Sequence, residues 1–462
     1  MTLNSTDGRF LFALVLINVA PLLVGFTLGI SSSASAQLDL DPTWKSKFSS
    51  FLNVGGLIGC LLAGDFLDRF GRKQSIIYGG LFGIIGWIIM LLNKDVNMNT
   101  PETTLNVLIF GRTLTGISIG ILNTAGLPYV IEITNPESKY KDSFPCTCQL
   151  ALNFGTLIAY ALGLYTAWWQ TSIIILLIEI FLTIILTLDF IPESPKWLLK
   201  SNMRPEAENA YVILHSSQMP IQDKSDFASL HIKKDFFPTI LDAIIPCRLI
   251  PSNFTSKVRI AMILIAGQQL TGINALMFYT ELIFEKASDM DASLCAFYMI
   301  LIQGIFSLSS LHFIDKYSRK FLLLSLGSVM GVCLLLFSIV NLTNDTGNRY
   351  LDLRLSGTLS LFFIGIYFIA FAISWGPLPM IVCLEMFPAC YSGPISAAGL
   401  AINWTISFIV TNYFLAMVNF LGFGMTFLFY SISCFFCCWF VARFLPETSS
   451  KFSLPLISER II

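Results

Sequence analysis

Apolar residues in this chain come in long unbroken blocks, not in the short alternating runs of a soluble fold. A helix needs about 20 mostly apolar residues to cross a bilayer. Blocks of that size lie at 10–30, 48–67, 74–93, 105–129, 144–166 and 170–191. They return at 259–284, 292–314, 321–342, 358–384, 396–420 and 422–445. The polar stretch 192–257 separates the two sets. This pattern predicts an all-α membrane protein with twelve transmembrane helices in two pseudo-symmetric six-helix bundles. The expected boundaries are 1–191 for the first bundle, 192–257 for a cytoplasmic connector, 258–445 for the second bundle and 446–462 for a tail. Segments 205–216 and 227–245 of the connector are amphipathic and predict short surface helices. The first apolar block exceeds the core of a signal peptide and has no clear cleavage site, so it is read as a span.

Composition agrees with a lipid-facing exterior. Hydrophobic residues make up 55% of the chain and charged residues 12%, whereas a soluble domain has about 25% charged. A net charge of −1 leaves no global basic field for nucleic acid. The 11 Cys lie mostly in apolar stretches and form no zinc spacing with the 3 His, so they are expected to be small buried hydrophobes. There is no Walker loop, clustered metal-binding His or nucleophile elbow. Neither an enzyme nor a cofactor is expected, and nothing calls for an obligate protein partner.

Lys and Arg concentrate on the cytoplasmic side of membrane proteins. With both termini inside, Arg9, Arg69, Arg72, Lys73, Lys139, Lys141, Lys316, Arg319, Lys320 and Arg443 fall on the inner side. The outer loops then hold Lys45, Lys47, Lys94, Lys286, Arg349 and Arg354. The expectation is a multi-pass protein of the plasma membrane with cytoplasmic termini. Two sequons, beginning at Asn341 and Asn344, fall in an outer loop on this scheme and are candidate glycan acceptors.

Each half carries an acid–base–turn–base loop after its second span. The first reads Gly64-Asp65-Phe66-Leu67-Asp68-Arg69-Phe70-Gly71-Arg72-Lys73, and the second Asp315-Lys316-Tyr317-Ser318-Arg319-Lys320. Each half also ends in a Pro-Glu motif, Pro192-Glu193-Ser194-Pro195-Lys196 and Pro446-Glu447-Thr448. Helices stop at such prolines. Glu193 and Glu447 are thereby brought near the basic loops, and Glu132 and Glu385 lie at the same ends of spans four and ten. Recurrence in two halves points to internal duplication and to an ionic latch. The competing reading is ordinary solvation of helix ends.

Polar side chains within spans are costly and usually face a bundle interior or a cavity. That criterion selects Gln149, Gln268, Gln269, Asn274, Gln303 and Asn403. Amides donate and accept hydrogen bonds without a charge to desolvate, which suits a neutral polyol. Gln268, Gln269 and Asn274 cover roughly one and a half turns of a helical span seven. For any one amide alone, the competing reading is helix–helix hydrogen bonding.

Taken together, these stretches resemble the sugar porter family of the major facilitator superfamily, and in particular its facilitated glucose and trehalose carriers. The resemblance also rests on Gly111-Arg112, Pro128-Tyr129-Val130-Ile131-Glu132-Ile133, Gln268-Gln269-Leu270-Thr271-Gly272-Ile273-Asn274 and Asn403-Trp404. It implies two bundles around a central sugar site, with Gln149, Gln268, Gln269, Asn274 and Asn403 on the sugar hydroxyls. Gln303 stands where many members have Asn. Trp404 and Tyr279 would supply apolar or gating contacts. The latch would comprise Asp68, Arg69, Arg72, Glu132, Lys141, Glu193 and Lys196 in one half, and Asp315, Lys316, Arg319, Glu385 and Glu447 in the other.

The chain departs from the family at several points. Lys141-Asp142 replaces Arg-Gly and Ser392 replaces an Arg, so the second-half latch is expected to be weaker, with Glu385 relying on Lys316 or Arg319. A weaker inner lock would tilt the resting population toward an inward-open form. Met380 replaces a cavity-lining Trp and Ala372 a frequent Glu, while Gly376, Pro377 and Pro379 still permit a broken helix in span ten. Thr27 stands where proton-linked members carry Asp. Thr cannot titrate, which favours facilitated diffusion of a small neutral sugar such as a hexose or trehalose. Glu179, in the middle of span six, is either a proton site or a neutral carboxyl packed between helices. Proton-coupled symport and a non-transporting sugar receptor are the alternatives.

Overall fold

The computed structural model describes residues 5–97, 100–134, 144, 146–215, 255–287, 291–345, 353–387 and 392–447. Its helices are α1 (Ser5–Gln37), α2 (Pro42–Arg69), α3 (Arg72–Leu92), α4 (Glu102–Ile133), α5 (Cys146–Gly163), α6 (Trp168–Thr187), α7 (Pro195–Lys200) and α8 (Arg204–His215). They continue as α9 (Thr255–Leu270), α10 (Ile273–Ala287), α11 (Ala292–Lys316), α12 (Arg319–Asp345) and α13 (Leu353–Ala370). A π-helical turn (Phe371–Trp375) follows, then α14 (Leu378–Glu385), α15 (Ser392–Leu421) and α16 (Phe423–Phe444). Among the described residues, 11 helical segments are long and apolar enough to cross a membrane. The expected fifth span is occupied by α5, with 18 residues.

The chain divides into two compact units. The first takes in Met1–Ile30 and Phe51–Ile240, the second Ser31–Ser50 and Leu241–Ile462.

Helices of the first unit meet backbone to backbone. A Cβ placed on Gly55 of α2 would lie 2.1 Å from the Thr113 carbonyl oxygen of α4, and one on Gly116 would lie 2.3 Å from the Leu52 carbonyl oxygen. Gly155 of α5 approaches Leu22 of α1 in the same way, at 2.0 Å. Small residues allow this closeness, and apolar helices in a bilayer depend on close packing because burial against lipid gains little. After α6, Pro195 sits at the first position of α7 and the Ser194 hydroxyl accepts the Trp197 N–H at 3.2 Å, a standard helix start. Trp197 and Leu198 then pack on Ala207 and Ala210 of α8. The expected helix at 205–216 is therefore present as α8. The second expected surface helix, 227–245, lies outside the described residues.

In the second unit the long spans are interrupted. Gly272 has φ +88° and separates α9 from α10. Gln268 and Gln269 thus precede a break and Asn274 follows it, instead of sharing one continuous helical face as the spacing had implied. The freed Thr271 carbonyl accepts the Tyr367 hydroxyl at 3.1 Å. Non-helical backbone at membrane depth persists where neighbouring groups satisfy it in this way. The expected break in span ten is also present, as the π turn in which the Gly376 N–H bonds to the Phe371 carbonyl at 2.8 Å. Segment 31–50 belongs to this unit. There the Ser32 hydroxyl accepts the Glu281 N–H at 3.2 Å, and the Ser50 hydroxyl donates to Asn412 Oδ1 at 3.0 Å.

Candidate functional site

The charged end of the first unit is built around two carboxylates. Glu193 accepts the backbone N–H groups of Arg72 at 3.0 Å, Lys73 at 3.0 Å and Ser194 at 2.8 Å. Gly71, with φ +95°, turns those amides toward the carboxylate, and its missing Cβ leaves room for Glu193 Oε2. Burial pushes the Glu193 carboxyl above its usual range, and the amides of Ser194, Lys73 and Arg72 offset part of that rise. Arg72 donates to Glu132 at 2.7 Å and to the Leu67 carbonyl at 3.0 Å. Ser194 donates to the other oxygen of Glu132. Lys73 pairs with Asp189, Lys200 with Asp68 at 2.9 Å, and Arg69 with Asp65 at 2.9 Å. Lys196 is half-buried at the second position of α7.

The second unit repeats the plan. Glu447 accepts the backbone N–H groups of Arg319 at 3.1 Å and Lys320 at 3.2 Å. Arg319 donates to Glu385 at 3.3 Å and to the Ile314 carbonyl five residues back, as Arg72 does to Leu67. Arg319 is thus a partner of Glu385, and Lys316 is exposed beside the Tyr317 ring. Lys141 and the side chains of Asp315 and Ser392 lie outside the description. Sequence reasoning missed Ser194, Asp189 and Lys200. Only Ser194 left a signal, as a cap before Pro195.

The amides selected from the sequence fall into four kinds. Gln268 and Asn403 are joined: Asn403 Nδ2 donates to Gln268 Oε1 at 2.9 Å, and Gln268 Nε2 donates to the carbonyls of Trp375 at 2.8 Å and Gly376 at 2.7 Å. Asn274 donates to the Ser407 hydroxyl at 2.6 Å, a partner on α15 that sequence reasoning did not single out. Gln269 and Gln303 are buried, and in each the Oε1 atom has no hydrogen-bond partner among the described residues. Gln149 differs from all of these. It is exposed on α5 and donates to Asn153 at 3.3 Å, one turn along the same helix.

Tyr279 is fully buried, donates to the Thr411 carbonyl at 3.1 Å and stacks on Phe414. Trp404 is buried on α15. The Met380 sulfur would be 3.9 Å from a Cβ on Gly399, which places α14 against α15 just before Asn403. In the first unit Thr27 is buried, and its carbonyl lies 3.5 Å from the guanidinium of the buried Arg112. Glu179 is buried and accepts from Ser118 at 2.8 Å, its carboxyl filling the space where Gly83 lacks a Cβ. Asn341, the Asn of the first sequon, has its side chain buried within α12, where it donates to the Phe337 carbonyl at 2.8 Å. The Asn344 side chain lies outside the description.

These features can be set beside known proteins. The family described as "Sugar (and other) transporter" matches residues 13–455. The chain belongs to the sugar transporter family. Relatives include the sugar transporter ERD6-like 6 of Arabidopsis thaliana, 28% identical over 96% of this chain and 88% of that protein. The facilitated glucose transporter member 8 of Bos taurus is 28% identical, with 97% and 94% covered. The facilitated trehalose transporter Tret1 of Apis mellifera ligustica is 26% identical, with 97% and 88% covered. Among solved structures, the xylose transporter XylE of E. coli aligns with a TM-score of 0.76 at 19% identity, covering 96% of this chain and 98% of that one. The fold is accordingly that of the major facilitator superfamily, and this sugar transporter is a multi-pass membrane protein and not an enzyme.

Proposed function

We propose that this sugar transporter carries a small neutral sugar, a hexose or a disaccharide such as trehalose, by facilitated diffusion. The observation that carries the reading is that two buried amide oxygens of the second unit, Gln269 Oε1 and Gln303 Oε1, have no hydrogen-bond partner among the described residues. An unsatisfied buried carbonyl costs free energy that a ligand hydroxyl relieves. No charge would have to be stripped of water for a polyol to bind there. Gln268, Asn274, Asn403, Trp404, Tyr279 and Met380 complete the proposed sugar site of the second unit, and Gln149 and Thr27 are the sugar-binding candidates of the first unit. The two carboxylate–arginine clusters act as the latch of alternating access at the cytoplasmic side of a plasma membrane, with both termini inside. The relatives named for facilitated glucose and trehalose transport support this substrate class.

Proton-coupled symport is the second reading, and the buried Glu179 is what favours it. Uptake of labelled glucose and trehalose into proteoliposomes, with and without a protonophore, separates the two. The uniport reading expects saturable uptake that ignores the protonophore and is unchanged in rate–pH profile by Glu179→Gln. Uptake that collapses with the protonophore, or a profile flattened by Glu179→Gln, assigns the transport to symport.

A further inference from the structure

Span ten has a carbonyl problem written into its sequence. In a continuous helix the Trp375 carbonyl would accept the N–H of the residue four positions on, but that residue is Pro379, which has none. Pro377 likewise deprives the Ile373 carbonyl. The chain answers with the π turn and with one side chain from another helix. Gln268 of α9 gives both of its amide hydrogens to this hinge, one to Trp375 O at 2.8 Å and one to Gly376 O at 2.7 Å. Its oxygen accepts from Asn403 of α15 at 2.9 Å. These three bonds fix the amide's orientation, because a flip would set its oxygen against two carbonyl oxygens. Three elements of the second unit (α9, the hinge before α14, and α15) thus meet at a single amide.

An amide nitrogen has two hydrogens and no more. A sugar hydroxyl can accept from Gln268 only if a hinge carbonyl gives up its bond. We infer that Gln268 is a coupling residue, for which sugar hydroxyls and the α14 hinge carbonyls compete, so that sugar binding unpins α14. The inference rests on the sugar-binding reading above and gives Gln268 a second role within that site, distinct from that of the unpaired acceptors Gln269 and Gln303. Release at Gly376–Pro377 leaves α14 tethered by the π turn, whose Trp375 indole donates to the Leu323 carbonyl at 3.0 Å. The moving part is then the short helix that carries Met380 at one point and Glu385 at its end.

Hydrogen exchange of the full-length protein in nanodiscs, read on peptides spanning 371–387, tests this with D-glucose and trehalose as probes. Sugar binding is measured on the same samples by intrinsic tryptophan fluorescence. Wild-type protein should exchange about five-fold faster in 380–385 when sugar is bound, the scale of two membrane-embedded hydrogen bonds. Gln268→Met, similar in shape but without donors, should exchange fast already without sugar, and sugar should add nothing. Asn403→Ala, which in the sugar-free protein removes the bond that orients the amide, should give a smaller rise in sugar-free exchange and serves if Gln268→Met fails to fold. Turnover should fall more than sugar affinity in both variants. Wild-type-like exchange in both sugar-free variants overturns the pin. Sugar that binds the wild type without changing exchange in α14 overturns the coupling. Absence of saturable binding to the wild type removes the sugar reading and the coupling together, and is recognised separately because it appears in the fluorescence arm.

Discussion

The first unit closes its helices backbone against backbone, whereas the second packs them through side chains and interrupts them. Gly55, Gly116 and Gly155 each face a carbonyl oxygen of the neighbouring helix, with no room for one further carbon. At Gly267, Gly331 and Gly399 the nearest neighbours are Cys437, Phe435 and Ile265 side chains, which can rotate. The breaks at Gly272 and at the π turn before α14 both lie in the second unit. A helix held by carbonyl-to-glycine contacts has no alternative arrangement within reach. A helix held by a methionine, a cysteine or an amide does. The difference makes the glycine contacts of the first unit the stiffer packing and leaves more room for local bending in the second.

The sharpest way to break that contrast is to add a methyl group on each side of it. Gly55→Ala forces the α2 and α4 backbones apart and should cost about 3 kcal/mol, the upper range for overpacking. It should leave little monodisperse protein by size exclusion. Gly331→Ala needs only a tilt of the Phe435 ring and should cost less than about 1 kcal/mol. Equal yields from the two variants would erase the distinction.

A smaller effect compares the charged ends. Arg72 meets Glu132 at 2.7 Å, with Ser194 on the other carboxylate oxygen, while Arg319 meets Glu385 at 3.3 Å and Glu385 is the more exposed of the two acids. Glu132→Ala should therefore cost about 2 kcal/mol and Glu385→Ala about half as much, hydrogen bonds to charged groups being the strong ones. Thermal unfolding in detergent reads the difference. A larger loss for Glu385→Ala would reverse the ranking.

The smallest effect concerns α8, the docked helix after the first unit's Pro-Glu motif. His215 packs on Tyr211 and Phe10, and burial holds its imidazole below the ordinary 6.5, with a hydrogen bond to the Ile133 carbonyl offsetting part of the shift. The neutral ring is the form the fold favours. Its contribution is complete above the ordinary value and is lost as pH falls below it toward the lowered one. Proteolysis of the 200–215 region should accelerate modestly between neutral pH and pH 5, and His215→Phe should remove that dependence. Acceleration that persists in the variant would place the effect elsewhere.

Much of this was legible in the sequence because the governing signals are coarse. Apolar blocks near the bilayer thickness mark spans whatever their packing, and Pro-Glu after a basic turn marks the charged ends twice over. The arginine pairings at Glu132 and Glu385 follow from that repetition. The break at Gly272 was less legible, since Gln268 to Asn274 keeps a helical spacing until a left-handed glycine interrupts it. Nor do the prolines of span ten say which distant side chain will satisfy the carbonyl they strand. Gln268, selected as a sugar ligand, spends its donors on Trp375 and Gly376 for that reason. Gln149 and Asn341 show the same limit from opposite sides. An amide in an apolar run can lie on an exposed face, and an Asn in a sequon can be buried, because helix rotation and helix length decide both.

The most direct test of the central claim is equilibrium binding of glucose and trehalose to purified protein carrying Gln269→Ala and Gln303→Ala together. Each lost amide should weaken affinity about ten-fold, as expected for removing one partner of a buried hydrogen bond. The double variant should therefore remain monodisperse while its affinity falls about a hundred-fold, if the two sites act independently. A folded double variant that binds sugar as tightly as the wild type would contradict the account.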